Sequence, residues 1–139
     1  MMAGSDERSV REDFGAYYGS RQGDIYADME RAVIGGDWGA NGYTTIEEAD
    51  EFGRALGLTR GVRLLDIGSG PGWPGLYLAS ATGCDVIATD LPIEGLVTGR
   101  TRAMQSACSG HAQFVVASVN ALPFRAASFD AVVHTDVFC

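Results

Sequence analysis

Short apolar runs alternate with longer amphipathic segments in the second half of the chain. The runs are rich in Val, Ile, Leu and Ala and predict four strands, over residues 62–67, 84–90, 112–117 and 130–135. The segments between the first three runs predict helices, one ending near Thr82 and one over about residues 94–109. Strands joined by helices are typical of a parallel sheet with right-handed crossovers, and strands this apolar favour a sheet covered on both faces.

The first half of the chain has a helical pattern. Apolar positions at roughly helical spacing predict amphipathic helices over residues 7–18 and 24–34, followed by a glycine-rich loop over residues 35–45. Thr45 and Glu48 form a capping box, which predicts that a third helix begins there.

The string LLDIGSGPGWPGLYLA, which ends the first strand and begins the next helix, contains two overlapping glycine motifs. Gly70, Gly72 and Gly75 spell G-x-G-x-x-G, the dinucleotide fingerprint. Asp66 and Gly68 instead begin the pattern D-x-G-x-G-x-G, which shares Gly70 and Gly72. The position of the strand end decides between the two motifs.

The predicted strand ends at Ile67, so that Gly68 is the first glycine after it. Counted from Gly68, the dinucleotide frame puts Trp73 where the third glycine should allow close packing of helix on strand. A carboxylate at the strand end, Asp66, attracts a cation and repels a pyrophosphate. The residues therefore favour a loop for a cationic ligand, and the shifted frame is interpreted as accidental.

Three ordered motifs between residues 62 and 138 resemble the class I S-adenosylmethionine-dependent methyltransferases. They are VRLLDIGSGPG, VIATDLP and FVVASVNALPFRAASFDAVV, and they are most similar to the small-molecule, type 11/25-like branch. The resemblance implies S-adenosylmethionine as cofactor and a loop that wraps its methionine part and ribose. The loop residues it assigns are Asp66, Gly68, Ser69, Gly70 and Gly72.

The resemblance also implies contacts to the rest of the cofactor. Asp90 would accept both ribose hydroxyls, and Leu91 would cover an adenine face or serve as a core residue. Ser118 stands where the family usually has an aspartate for the exocyclic amine of adenine, and Val119 would offer its backbone N–H. Tyr43, in NGYTTIEEA, is a candidate to cover the cofactor, with a packing role equally open.

Methyl transfer from a sulfonium is an in-line displacement, for which the protein chiefly supplies alignment and exclusion of water. No metal ion or catalytic triad is required. If the acceptor must lose a proton, His134 and Asp136 at the end of the fourth strand are candidate bases, although a histidine at such a position is also commonly structural.

Composition restricts the partners. A net charge of −8, with ten arginines and no lysine, argues against binding to a nucleic-acid backbone and favours a small-molecule acceptor. Apolar runs are too short for a membrane span, and the charged amino terminus does not have the pattern of a signal peptide, which predicts a cytoplasmic protein.

The expected fold is α/β, a Rossmann-like, doubly wound, mostly parallel sheet of about four strands with amino-terminal helices. We expect a helical or lid segment over residues 1–43 and a cofactor-binding domain over residues 44–139. Because the family's sheet has seven strands, the chain is expected to be a fragment or to be completed by a partner. The fourth strand would be an open edge suited to homo-oligomerisation. The alternatives are a nicotinamide-dependent oxidoreductase and a non-catalytic cofactor-binding module.

Overall fold

A computed structural model describes residues 3–20, 23–106 and 112–135. Within these ranges the helices are α1 (Ala3–Ser20), α2 (Asp24–Ile34), α3 (Ile46–Ala55), α4 (Gly75–Thr82) and α5 (Ile93–Gln105). The strands are β1 (Arg63–Ile67), β2 (Asp85–Asp90), β3 (Ala112–Val116) and β4 (Ala131–His134). Each predicted helix and strand is present, with its ends shifted by a few residues.

The four strands form one parallel sheet in the order β3-β2-β1-β4. The chain moves outward from β1 through β2 to β3 and then returns to the other side of β1 for β4. This reversal creates a switch point beside β1, where ligands of open α/β sheets bind at the carboxyl ends of the strands. The predicted α/β class is confirmed.

One face of the sheet carries the main core. Leu64 on β1 lies opposite Val86 on β2 and Ala131 on β4, and all three are buried. The crossover helices α4 and α5 pack on this face, through side chains such as Leu76 and Ala103. Burial of these apolar side chains is the main force that holds the helices to the sheet.

The opposite face is covered unevenly. Leu65 and Thr89 are buried there, whereas Val132 on β4 is 48% exposed. The expectation that the whole sheet is covered on both faces is therefore not met at β4 in the described part of the chain. The two crossover helices both lie on the Leu64 face, which leaves Val132 without a covering helix from either of them.

Local hydrogen bonds shape the amino-terminal half. The predicted capping box is present, because Glu48 N–H donates to Thr45 Oγ1 (3.2 Å) and Thr45 N–H donates to Glu48 Oε2 (2.8 Å). The Glu30 carboxylate accepts hydrogen bonds from the backbone N–H groups of Trp38, Gly39 and Ala40, which holds the loop over residues 35–45 against α2. None of the described helices is both long and apolar enough to cross a membrane.

Helix α1 lies across α5 and reaches the carboxyl edge of the sheet. A Cβ atom on Gly15 of α1 would come within 3.0 Å of the Glu94 carboxylate on α5, so the two helices are in close contact. The amino-terminal helix therefore faces the same edge as the glycine-rich loop after β1.

Candidate functional site

The loop between β1 and α4 turns sharply at its glycines. Gly70 and Gly72 have φ angles of 50° and 107°, a region that residues with a side chain rarely adopt. Gly72 N–H donates to the carbonyl of Ser69 (2.8 Å), which closes the turn. A Cβ atom on Gly70 would lie 2.6 Å from the Tyr18 hydroxyl oxygen, so α1 packs directly on the loop.

Asp66 joins the end of β1 to the start of α4. Its side chain is 1% exposed, and Oδ2 accepts the N–H of Gly75 at 2.9 Å. A Cβ atom on Gly75 would stand only 2.4 Å from that oxygen. Burial raises the pKa of Asp66 well above its usual value; the Gly75 hydrogen bond acts in the opposite direction, and the charge of Asp90 raises the pKa further. A glycine is thus required at position 75 because any side chain would clash with Asp66, and the turn of the loop imposes no such requirement there.

Asp90, at the end of β2, holds the loop from the other side. Its Oδ2 accepts the N–H of Gly70 at 2.7 Å, and its Oδ1 accepts the N–H of Leu91 at 2.7 Å. Burial raises the pKa of Asp90, and the two N–H donors oppose that rise. A carboxylate has about four acceptor positions, so Asp90 keeps the capacity to accept from a ligand.

Two adjoining cavities meet at Asp90. The larger, about 320 Å³, lies between the glycine loop and α1 and is lined by Phe14, Tyr18 and Trp73 among others. The smaller, about 240 Å³, extends toward the end of β3 and is lined by Leu91 and Val119 among others. Val10, Gly68 and Asp90 line both. The site is therefore elongated, with a carboxylate near its middle.

Most of the residues that the sequence indicated come together around these cavities, namely Gly68, Ser69, Gly70, Asp90, Leu91, Ser118 and Val119. Asp66 and Gly72 line neither cavity. Tyr43 is 81% exposed and also lines neither, whereas its neighbour Gly42 lines the larger one.

The candidate bases are placed less directly. His134 ends β4 beside Ile67 of β1 and is exposed, and Thr135, the next residue, lines the larger cavity. Asp136 lies outside the described residues. The ligand and catalytic roles of these residues stay predictions.

The sequence predicted a helical or lid segment over residues 1–43 but did not predict which residues of α1 line the site. Glu7, Val10, Phe14 and Tyr18 line the cavities. Their helical spacing was visible, but spacing alone does not say which surface an amphipathic helix covers. The structure shows which surface it is: Val10 and Phe14 are each 41% exposed and line the larger cavity.

A family model described as a methyltransferase domain matches residues 64–139, which is more than half of the chain. A ubiquinone/menaquinone biosynthesis C-methyltransferase UbiE from Rhizobium etli is 41% identical over 73 residues, covering 51% of this chain and 28% of the relative. A 27-O-demethylrifamycin SV methyltransferase from Amycolatopsis mediterranei is 36% identical over 124 residues, covering 78% of this chain and 43% of the relative. The chain thus spans less than half the length of these relatives.

Solved structures with the same fold include two methyltransferases. One, from Thiobacillus denitrificans in complex with S-adenosyl-L-homocysteine, has a TM-score of 0.51 and 26% identity and covers 69% of this chain and 37% of its own. The other, from Methanosarcina mazei, has a TM-score of 0.50 and 34% identity, with coverage of 55% and 38%. The segment matched by the family model contains the glycine loop, Asp90 and Ser118.

Proposed function

This chain belongs to the methyltransferase domain family, and we propose from that membership that it binds S-adenosylmethionine and forms the cofactor-binding part of a small-molecule methyltransferase. The observation that carries the proposal is the position of Asp90 between two cavities, with the glycine loop on one side and an apolar slot on the other. S-adenosylmethionine has a ribose between its amino-acid part and its adenine, and this order matches that of the larger cavity, Asp90 and the smaller cavity.

The residues fit the parts of this cofactor. Leu91 and Val119 offer apolar surface to adenine in the smaller cavity, and Asp90 has acceptor positions for the ribose hydroxyls. The larger cavity, lined by Ser69, Gly70 and Trp73, would take the amino-acid end of the cofactor.

Electrostatics also favour a cationic ligand. Asp66 and Asp90 are close enough for the charge of Asp90 to raise the pKa of Asp66. A positive group near this pair relieves the repulsion between two carboxylates in a partly dry environment. Asp66 takes part through this field, since its side chain is tied to Gly75 and does not line the cavities.

When bound, the cofactor supplies a methyl group on a sulfonium that is already an activated leaving group. The contribution of this chain is alignment and exclusion of water. Val10 and Phe14 of α1 cover the cavity from one side while the loop after β1 forms the floor. If the acceptor must lose a proton, His134 and Asp136 remain the proposed bases.

The shifted dinucleotide frame finds no support in the geometry. Gly75, its third glycine, lies in the first turn of α4 with its N–H on Asp66 and lines neither cavity. Nothing in this geometry favours a nicotinamide-dependent oxidoreductase.

We also propose a division of the chain, an acceptor class, a compartment and a mode of self-association. Residues 1–43 would act as a cover and residues 44–139 as the cofactor domain, which the packing of α1 over the cavity supports. The acceptor would be a small molecule, consistent with the family, and the cytoplasm is the compartment proposed from composition. Self-association along β4, an edge strand among the described ones, is proposed too, and size-exclusion chromatography over a range of concentrations tests it.

Calorimetric titration with S-adenosylhomocysteine tests the cofactor assignment. Replacing Asp90 by Asn removes the charge from the acceptor of the ribose hydroxyls, and a hydrogen bond to a charged group contributes about 1.5–3 kcal/mol. We expect Asp90→Asn to weaken binding roughly tenfold to a hundredfold. Asp28→Asn, which removes an exposed carboxylate of α2, is the matched control and should bind as the wild type does. Equal affinities for all three proteins would contradict the assignment.

A further inference from the structure

Helix α1 places a carboxylate over the end of β3. Ser118 Oγ donates a hydrogen bond to Glu7 Oε1 at 2.6 Å, between residues 111 positions apart in the sequence. Ser118 Oγ also accepts the N–H of Asn120 at 3.2 Å. The Ser118 hydroxyl proton is therefore directed at Glu7, and the serine holds the carboxylate in place.

Glu7 forms part of the wall of the smaller cavity. It lines that cavity together with Leu91, Ser118 and Val119, and its side chain is half-buried. One hydrogen bond leaves a carboxylate with acceptor capacity, and in a partly dry cavity a charged acceptor binds a donor more strongly than a neutral one does. Ser118 itself brings no charge to this end of the cavity.

We propose that Glu7 recognises the exocyclic amine of adenine and makes the cofactor site selective for that amine. The inference rests on the proposed function, because it places adenine in the smaller cavity. The amine is a donor at the edge of the ring, and the ring faces are matched by the apolar Leu91 and Val119. Asp6 also lines this cavity but is exposed, whereas Glu7 is half-buried and accepts the hydrogen bond from Ser118. Glu7 is therefore the charged acceptor that the N-terminal helix brings to the end of this slot, and Ser118 is the positioning residue that orients it.

This assignment links cofactor recognition to the placement of α1. Glu7 shares its helix with Phe14 and Tyr18, which line the larger cavity. A bound adenine that holds Glu7 thus also holds the apolar side chains that cover the methionine end. The cofactor would favour the covered state by contacts at both of its ends.

The test compares S-adenosylhomocysteine with its purine analogue in which hydrogen replaces the exocyclic amine. We expect the wild-type chain to bind S-adenosylhomocysteine roughly tenfold more tightly than the analogue, as for one hydrogen bond to a charged group. Glu7→Ala should reduce this ratio to about one, because only the amine-bearing ligand loses a contact. Ser118→Ala should give an intermediate ratio. Glu12→Ala, an exposed carboxylate of the same helix, should leave the wild-type ratio unchanged.

The ratio separates recognition from structural support. If Glu7 only stabilised α1, Glu7→Ala would weaken both ligands equally and the ratio would stay at its wild-type value, which would overturn the inference. Tight binding of S-adenosylhomocysteine with that result would leave the proposed function intact. If the wild-type chain bound neither ligand, the proposed function and this inference would both fall.

Discussion

Gly75 offers a sharp test of how the loop is built. A methyl group at this position would stand 2.4 Å from Asp66 Oδ2 and 2.9 Å from Asp66 Cβ, distances that real Cβ atoms do not tolerate. Both residues are buried, so relief requires a shift of the helix start or of the strand end, and the Gly75 N–H then moves away from Asp66.

The cost of Gly75→Ala follows from two unfavourable contributions and one favourable one. Overpacking a well-packed site costs about 1–3 kcal/mol. Weakening the N–H donor to a buried carboxylate costs about 1–3 kcal/mol more, and the helix propensity of alanine returns roughly 0.5–1 kcal/mol. We expect the free energy of unfolding, measured by urea denaturation, to fall by about 2–4 kcal/mol.

Two comparisons isolate the mechanism. An Asp66→Ala background removes the 2.4 Å contact with Oδ2 and the hydrogen bond to the Gly75 N–H, and keeps the 2.9 Å contact with Cβ, so Gly75→Ala should cost less there than in the wild type. Gly19→Ala, in α1 with no atom near the new Cβ, should be neutral or slightly stabilising. An unaltered stability of Gly75→Ala, or the same loss in both Asp66 backgrounds, would refute this reading of the contact.

Two further predictions concern stability. The pKa of the Asp66 side chain is higher in the folded state than in the unfolded state. Its contribution to stability is therefore fully present below the unfolded-state pKa and is lost as the pH rises through the folded-state pKa. The free energy of unfolding of the wild type, relative to that of Asp66→Asn, should fall as the pH is raised from about 4. A relative stability that is flat or rises over that range, in denaturation at several pH values, would contradict it. Glu30→Gln weakens the acceptor of three backbone N–H groups and should speed proteolytic cleavage within residues 35–45, whereas Glu51→Gln, an exposed residue of α3, should not. Equal cleavage rates would show that Glu30 does not anchor the loop.

Local and periodic signals predicted much of the fold. The Thr45–Glu48 capping box depends on residues three apart, and it forms as predicted. The four strands were predicted from four separate apolar runs, and each run forms a strand. Asp90 could be placed near the loop because the carboxyl ends of neighbouring parallel strands share one edge.

The direction of Asp66 was harder to predict. Along a strand, alternate residues share a face, so Asp66 points to the side of Leu64, where α4 packs. The glycine motifs placed Asp66 directly before the loop, but they did not predict that its hydrogen-bond partner would be the Gly75 N–H. The shifted glycine frame was interpreted as accidental, and Gly75 does lie in the first turn of α4, but its packing against Asp66 was not predicted.

Long-range contacts were not predictable from local pattern. Glu7 meets Ser118 across 111 positions, and neither residue carries a signal for the other. The placement of α1 depends on packing against α5 and the loop, where Gly15, Gly70 and Gly95 permit close approach. Such contacts are set by the assembled fold.

The most direct test of the central claim is a pair of calorimetric titrations of the wild-type chain, one with S-adenosylhomocysteine and one with NADH. We predict saturable binding of one S-adenosylhomocysteine per chain and no binding of NADH. Saturable binding of NADH, or no binding of S-adenosylhomocysteine, would contradict the assignment of the elongated cavity around Asp90 to a sulfonium cofactor.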